Sequence, residues 1–133
     1  LDGETLIPLM QANPDITTIV PAANQIFAAE RLQVGPNRLI PIDADNSIIV
    51  GDFTINAIPA AHETVERDDQ NRCRFIGLVI EFGDWTIYHS GDTMLFDGMV
   101  DRLKLWNIDI ALLPINGRAP ERREARHRPG NES

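Results

Sequence analysis

Two side chains that can bind a metal ion, His62 and Asp92, each follow a predicted β-strand. Asp92 stands in the run 87–93, Ile-Tyr-His-Ser-Gly-Asp-Thr, where a glycine turn comes after an apolar stretch. The sites of α/β proteins commonly lie at the ends of strands. Because imidazole nitrogens and carboxylate oxygens suit zinc or manganese, both residues are candidate metal ligands.

Each candidate also has a purely structural interpretation. Asp92 could cap the helix predicted after it, since Asp, Ser and Thr are all good N-caps. His62 could be a hydrogen-bonded structural histidine, and His89 could be packed or could support a ligand from behind. Position in the sequence leaves these alternatives open.

Other catalytic motifs do not fit the sequence. The zincin pattern begins with His-Glu, as in His62-Glu63, but needs a second histidine where Glu66 stands. Ser90 cannot lie on a nucleophile elbow, because Tyr88 occupies the position that requires glycine. No phosphate-binding loop and no dinucleotide fingerprint is present in the sequence.

Composition sets further limits. The chain has 133 residues, a length that suits one domain, and a net charge of −8, which disfavours nucleic acids and anionic membranes as partners. A single cysteine, Cys73, makes no internal disulfide, so we expect a reducing, cytoplasmic location. No apolar run is long enough to span a bilayer. Because Leu1 is not a natural start residue, we expect a cut chain or a missing leader.

Hydrophobic periodicity predicts an α/β chain, since helical and strand-like segments alternate. Residues 63–74 form a polar connection, expected to be solvated, with a flap near the site as the alternative, and Cys73 is expected to be a buried or edge thiol. The predicted helices cover 2–12, 22–33 and 95–105, and the predicted strands 17–20, 39–40, 48–50, 53–59, 75–82, 85–88 and 108–115.

The same patterns predict which side chains are buried. Strands 75–82 and 108–115 are nearly continuously apolar and are expected to be buried on both faces. Strand 53–59 alternates, so the face of Thr54 and Asn56 is expected to be wetter. The helix residues expected to face the core are Ile26, Phe27, Ala29, Leu32, Leu95, Met99, Val100, Leu103 and Leu105.

Three segments together resemble the metallo-β-lactamase superfamily. They are 58–63 (Ile-Pro-Ala-Ala-His-Glu), 86–93 (Thr-Ile-Tyr-His-Ser-Gly-Asp-Thr) and 109–118 (Asp-Ile-Ala-Leu-Leu-Pro-Ile-Asn-Gly-Arg). More narrowly, they are similar to L-ascorbate-6-phosphate lactonase and its metal-dependent hydrolase relatives. The resemblance covers residues 1–118 and implies a partial αββα sandwich there, with 119–133 as a polar, arginine-rich tail expected to be disordered.

The resemblance also implies roles for particular residues. His62 matches a lone metal-binding histidine, and Asp92 matches the catalytic aspartate that bridges two metal ions. Asn116 and Arg118 would lie at the rim, where they could bind a small anionic or sugar-like substrate, although a role in loop structure is equally compatible. The resemblance places His89 and Thr93 behind the ligands as supporting residues.

The sequence departs from the family pattern at both ends. The family's HxHxDH run, which comes just before a helix that opens like residues 1–5, is absent, and so is the late histidine. His127 lies in the arginine-rich tail and is no substitute. We therefore expect the isolated chain to bind metal weakly or not at all and to be inactive. Missing strands would leave an open edge and an apolar face, so a homo-oligomer is expected.

Two functions follow as hypotheses. In its complete form the protein would be a metal-dependent, lactonase-like hydrolase. The alternative is a truncated, non-catalytic module that associates with itself or with a partner. Nucleic-acid processing, known in other branches of the superfamily, would need a basic groove that a charge of −8 makes improbable.

Overall fold

The computed structural model describes residues 1–115, which form three α-helices and seven β-strands in two sheets. Short 3₁₀ turns occupy Ala22–Asn24 and Pro36–Arg38. The alternation of helices and strands confirms the α/β class. The elements are α1 (Gly3–Ala12), β1 (Thr18–Pro21), α2 (Gln25–Leu32), β2 (Leu39–Ile42), β3 (Ser47–Val50), β4 (Phe53–Pro59), β5 (Ile76–Phe82), β6 (Trp85–His89), α3 (Met99–Leu103) and β7 (Ile110–Leu112).

The smaller sheet pairs β1 with β2 in parallel and is covered by α1 and α2. Asp2 caps α1 as the sequence predicts, because its carboxylate accepts hydrogen bonds from the Glu4 amide (3.1 Å) and the Thr5 hydroxyl (2.7 Å). The buried residues of this layer are Met10, Val20, Ala28, Ala29, Leu32 and Leu39.

One prediction about α2 is wrong. Ile26 and Phe27 were expected in the core, but they are 62% and 59% exposed. The helix follows a 3₁₀ turn and directs Ala28 inward together with Ala29 and Leu32, which were predicted to face the core. A shift of one residue around a 3.6-residue turn moves a side chain by about 100°, so small residues can take the inner face.

The larger sheet has the strand order β3-β4-β5-β6-β7. Its neighbours are antiparallel except for β6 and β7, which are parallel. It follows that β4, β6 and β7 run in the same direction and end at the same edge of the sheet. The segments that follow β4 and β6, with His62 and Asp92, therefore leave the sheet at one edge.

The turn at 43–46 connects the two sheets. Strand β2, before the turn, pairs with β1, whereas β3, after it, pairs with β4. Asp43 fixes the crossing because its Oδ1 accepts the Ala44 amide (2.8 Å) and the Cys73 amide (2.9 Å). Cys73 is fully buried there, as one of the two alternatives predicts.

The expectation of a wetter face on β4 is wrong. Asn56 is only 7% exposed, and its side chain is fully engaged. Its Nδ2 donates to the Val79 carbonyl (3.1 Å) and the Glu81 carboxylate (2.9 Å), while its Oδ1 accepts the Ser47 hydroxyl (2.5 Å). The polar residue is tolerated inside the sheet because every one of these groups has a partner.

The two faces of the larger sheet are covered differently. One face packs Ile58, Val79 and Tyr88 against α3 and its flanking segments. The other face packs Ile55 and Ala57 against the smaller sheet. The two sheets and the helices outside them make two halves of a layered αββα arrangement, in agreement with a partial sandwich.

The last helix and strand are shorter and more exposed than predicted. The helix covers only Met99–Leu103, because Gly98 precedes it in a left-handed conformation (φ 85°) that a helix cannot contain. Leu95, Val100 and Leu105, expected in the core, are 79%, 53% and 75% exposed. Met99 is buried and Leu103 packs against the same cluster, as predicted.

Strand β7 is also not buried on both faces. It covers Ile110–Leu112, and both end residues are about half exposed (44% and 52%). In β5, Gly77 and Val79 are buried, whereas Leu78 and Ile80 on the opposite face are only half-buried. This second face is the one shared with Ile110 and Leu112.

Some predictions concern residues outside 1–115. Asn116, Arg118 and the tail 119–133 lie beyond the described residues. Within residues 1–115, no helix has both the length and the apolar character needed to cross a membrane.

Candidate metal centre

The structure brings His62 and Asp92 together. They follow β4 and β6, which end at the same edge of the sheet, and the His62 Nε2 lies 3.4 Å from the Asp92 Oδ2. The side chains are 43% and 67% exposed, so an ion could reach both from solvent. These two residues are separated by the whole β5–β6 hairpin in sequence, and the sheet topology brings them to the same edge.

The separation of the two atoms fits a shared ion. A tetrahedral metal with ligand bonds of about 2.1 Å places two of its ligand atoms about 3.4 Å apart. The His62 nitrogen and the Asp92 oxygen already have that spacing. The donor types and their geometry therefore fit a divalent metal ion, and the same distance also fits an exposed ion pair between the two side chains.

The turn that carries Asp92 is held from several sides. Gly91 adopts φ 63°, and its amide donates to the His89 Nδ1 at 3.1 Å. Ser90 is 1% exposed; its amide donates to the Leu112 carbonyl (3.1 Å) and its hydroxyl to the Gly91 carbonyl (2.8 Å). His89 itself is exposed and touches the turn rather than packing in the core.

His62 has an aromatic neighbour that the sequence did not single out. Its ring stacks on Phe75, with centroids 5.9 Å apart and planes inclined by 30°. The Phe75 carbonyl accepts the Ala60 amide at 3.0 Å, which ties the start of β5 to the segment before His62. No sequence signal marks Phe75, because it follows the polar loop and meets His62 only through the pairing of β4 with β5.

The capping alternative for Asp92 is wrong. The next helix begins at Met99, its N-cap position is Gly98, and no side chain caps it. Asp92 instead sits in an irregular segment beside His62. Thr93, predicted as a supporting residue, accepts the Ala61 amide on its Oγ1 at 2.9 Å.

A groove opens beside Asp92. It has a volume of about 420 Å³ and lies between α2 and the start of β5. Arg74 brings a positive charge to it, and Phe27 and Phe75 bring exposed aromatic rings. The remaining lining residues are Leu1, Val20, Pro21, Asn24, Ala28, Ile76 and Asp92.

The ligand set within residues 1–115 is small. No group of three or more His, Cys, Asp and Glu side chains in that part of the chain lies close enough to hold a metal ion. Burial raises the pKa of the Cys73 thiol, so this residue is not a ready thiolate ligand. Within residues 1–115, His62 and Asp92 are therefore the two candidate ligands that lie side by side.

Comparison with known proteins agrees with this description. A metal-dependent hydrolase of Sulfolobus acidocaldarius is 26% identical over 112 residues, which cover 84% of this chain and 47% of that protein. One from Methanosphaerula palustris is 40% identical over 76 residues, covering 54% and 35%. The crystal structure of a protein from Parabacteroides distasonis, named as a metal-dependent hydrolase, superposes with a TM-score of 0.60 at 27% identity and covers 84% and 47%.

The chain spans about half the length of the curated relatives it matches, 47% and 48% for two of them. A family model described as the beta-lactamase superfamily domain matches residues 3–131. That match includes nearly the whole chain and all of the elements that position His62 and Asp92. The chain belongs to the beta-lactamase superfamily, whose members among its relatives carry the name metal-dependent hydrolase.

Proposed function

We propose that this chain supplies His62 and Asp92 to the metal centre of a hydrolase. The observation that carries the proposal is the 3.4 Å separation of the His62 Nε2 and the Asp92 Oδ2 at the shared ends of β4 and β6. The names of the relatives support metal dependence and hydrolysis. Zinc or manganese suits the nitrogen and oxygen donors.

We further propose a lactonase-like reaction on a small anionic or sugar-like substrate. When bound, the metal would supply Lewis acidity toward a substrate oxygen and toward water. The turn after β6 holds Asp92, and the Phe75 ring stacks on His62. We assign the catalytic role to Asp92. Asn116 and Arg118 follow β7, which ends at the same edge, and this direction supports a role for them in substrate binding.

The isolated chain is expected to bind metal weakly and to show no hydrolysis. Two ligands cannot replace the solvation that a divalent ion loses on leaving water, and four-coordinate protein sites are the rule for zinc. The comparison to make is metal content after dialysis, for this chain and for a longer chain translated from the same gene. We expect stoichiometric metal only in the longer chain, and there it should be lost in His62→Ala and Asp92→Ala.

Stoichiometric metal retained by the 133-residue chain would contradict the incompleteness of its site. Metal retained by the longer chain after both substitutions would contradict the assignment of His62 and Asp92. Matched controls are His127→Ala and Asp84→Ala, which remove the same side-chain types without removing a proposed ligand or a residue that supports one.

A second candidate function is a non-catalytic module that associates with itself or with a partner. The observation in its favour is the exposed apolar surface on the larger sheet, where Ile110 and Leu112 are 44% and 52% exposed. Exposed faces of this kind mark sites of association. If the protein is a hydrolase, the longer chain should retain metal after dialysis, and if it is a non-catalytic module, it should not. The same dialysis experiment therefore distinguishes the two functions.

We propose a cytoplasmic location and no nucleic-acid partner. The single cysteine is buried and needs no oxidising compartment. A net charge of −8 would repel a polyanion.

A further inference from the structure

Two hydrogen bonds tie the residues beside the candidate ligands to each other. The amide of Ala61, which precedes His62, donates to the Thr93 Oγ1 at 2.9 Å. The amide of Met94 donates to the Ala61 carbonyl oxygen at 2.8 Å. We call these two bonds the Thr93 clamp. They join the segment that leaves β4 to the segment that carries Asp92.

The Thr93 hydroxyl is oriented for this contact. It donates its own proton to the Met94 carbonyl at 2.9 Å, which leaves its oxygen free to accept the Ala61 amide. Ala61 is 0% exposed, so water cannot replace the hydroxyl without opening the segment. Loss of the Thr93 oxygen would therefore leave a buried amide without that acceptor, which proteins rarely tolerate.

The side chains of His62 and Asp92 have little packing of their own. They are 43% and 67% exposed, and the Phe75 ring stacks on the histidine. Their separation must then be set mainly by the backbone from which they project. The Ala61–Thr93 bond lies one residue from each of them, and the Met94 amide of the second bond lies two residues from Asp92.

We propose that Thr93 is a positioning residue: through its hydroxyl it fixes the separation of His62 and Asp92 without touching the metal. The expected effect of Thr93 on metal binding rests on the proposed function. Its effect on the separation of the two side chains can be measured in the metal-free chain. If the hydroxyl were only structural, its removal would lower the stability of the chain but leave the contact between the two side chains unchanged.

The test uses two pairs of chains, and in each pair one side chain has a hydroxyl and the other does not. Thr93 and Thr93→Val have nearly the same shape, and only the first has a hydroxyl. Thr93→Ser and Thr93→Ala repeat the comparison in a smaller side chain, which keeps the test valid if the valine variant does not fold. Thr17→Val is the matched control, because Thr17 is exposed and lies just before β1.

The first measurement needs no metal. Nuclear Overhauser contacts between the His62 ring protons and the Asp92 β-protons are recorded for each folded variant. We expect them in the wild-type chain, Thr93→Ser and Thr17→Val, and we expect them weakened or lost in Thr93→Val and Thr93→Ala. Contacts of equal strength in a folded variant without the hydroxyl would overturn the proposal.

The second measurement is a Zn²⁺ titration followed by the His62 ring signals. Affinity should fall about tenfold in the variants without the hydroxyl and be retained in Thr93→Ser, as is usual when a group that supports a ligand is removed. Equal affinity with and without the hydroxyl would overturn the proposal. If Zn²⁺ does not perturb His62 even in the wild-type chain, the proposed function fails, and the metal-free contacts alone decide the role of Thr93.

Discussion

Gly91 adopts φ 63°, and a Cβ added there would lie 2.8 Å from the Ile76 carbonyl oxygen, too close for any side chain. The turn that carries Asp92 thus depends on a residue without a side chain for two reasons, its backbone conformation and its close approach to β5. Gly35 offers the opposite case, with a negative φ and no atom within 4 Å of an added Cβ.

We predict that Gly91→Ala lowers the free energy of unfolding by about 1–3 kcal/mol, since both strain and a backbone contact must be relieved. Gly35→Ala should change it by less than about 1 kcal/mol and can raise it, because alanine restricts the unfolded chain. Urea denaturation of the two variants measures the difference. Equal stabilities would contradict the close approach to Ile76.

The buried Cys73 thiol and Tyr88 hydroxyl should make the chain less stable at alkaline pH. Burial raises the pKa of the Cys73 thiol above its ordinary 9.0 and that of the Tyr88 hydroxyl above its ordinary 10.0. Above these values the unfolded chain loses its protons before the folded chain does. The free energy of unfolding should therefore be undiminished below pH 9.0 and fall as the pH rises through the raised values.

Substitution of these groups should make the alkaline loss smaller. Urea unfolding from neutral pH to above pH 10.0 is expected to show a shallower decline for Tyr88→Phe and for Cys73→Ala than for the wild-type chain. Tyr88→Phe should also be about 1 kcal/mol more stable at neutral pH, because the buried Tyr88 hydroxyl has no hydrogen-bond partner among residues 1–115. A decline unchanged by both substitutions would exclude these groups as its cause.

At the scale of elements, Asn56 links three strands of the larger sheet. Its amide bonds to Val79 and Glu81 on β5 and accepts the Ser47 hydroxyl from β3. Asn56→Ala should lower the free energy of unfolding by about 1–3 kcal/mol, because the partners would be left unpaired in a buried position. The control is Asn107→Ala at an exposed position, with an expected change within about 0.5 kcal/mol.

The sequence predicts most elements here because their signals are local. The predicted helix 2–12 lies close to α1, and the predicted strands 48–50, 53–59, 75–82 and 85–88 lie close to β3, β4, β5 and β6. It misses facts that depend on tertiary contacts. Phe27 is exposed and Asn56 is buried, the reverse of what their residue types indicate. Their burial depends on which elements pack against each other in the folded chain.

The candidate site also combines features that the sequence predicts with features that depend on tertiary contacts. Strand ends and residue types single out His62 and Asp92 in the sequence, but only the parallel direction of β4 and β6 brings them within 3.4 Å. The stacking of Phe75 and the Thr93 bond to Ala61 join residues far apart in the chain. Periodicity carries no information about such contacts, so their details could not be predicted.

For the whole molecule, the uncovered part of the larger sheet bears on association. Cross-strand partners share a face, so Ile80, Ile87 and Ile110 form one row and Leu78, His89 and Leu112 the next. The smaller sheet packs on this face near Ile55 and Ala57. The rows run from that covered end to the exposed Ile110 and Leu112 on the edge strand β7.

We propose that the chain forms a homo-oligomer through this surface. Light scattering at micromolar concentration should give a mass above that of one 14.9 kDa chain, and Ile110→Lys or Leu112→Lys should shift the population toward monomer. Ile49→Lys, at a 77% exposed position on the opposite edge strand, is the matched control and should not. A wild-type chain that is monomeric throughout would contradict the proposal.

We propose that His62 and Asp92 together bind a metal ion. The most direct measurement is a Zn²⁺ titration of the wild-type chain followed by NMR, with His62→Ala and Asp92→Asn beside it. We predict weak binding that first perturbs the His62 ring and the Asp92 turn, and loss of these changes in either variant. Perturbation that begins elsewhere, or that persists in both variants, would contradict it.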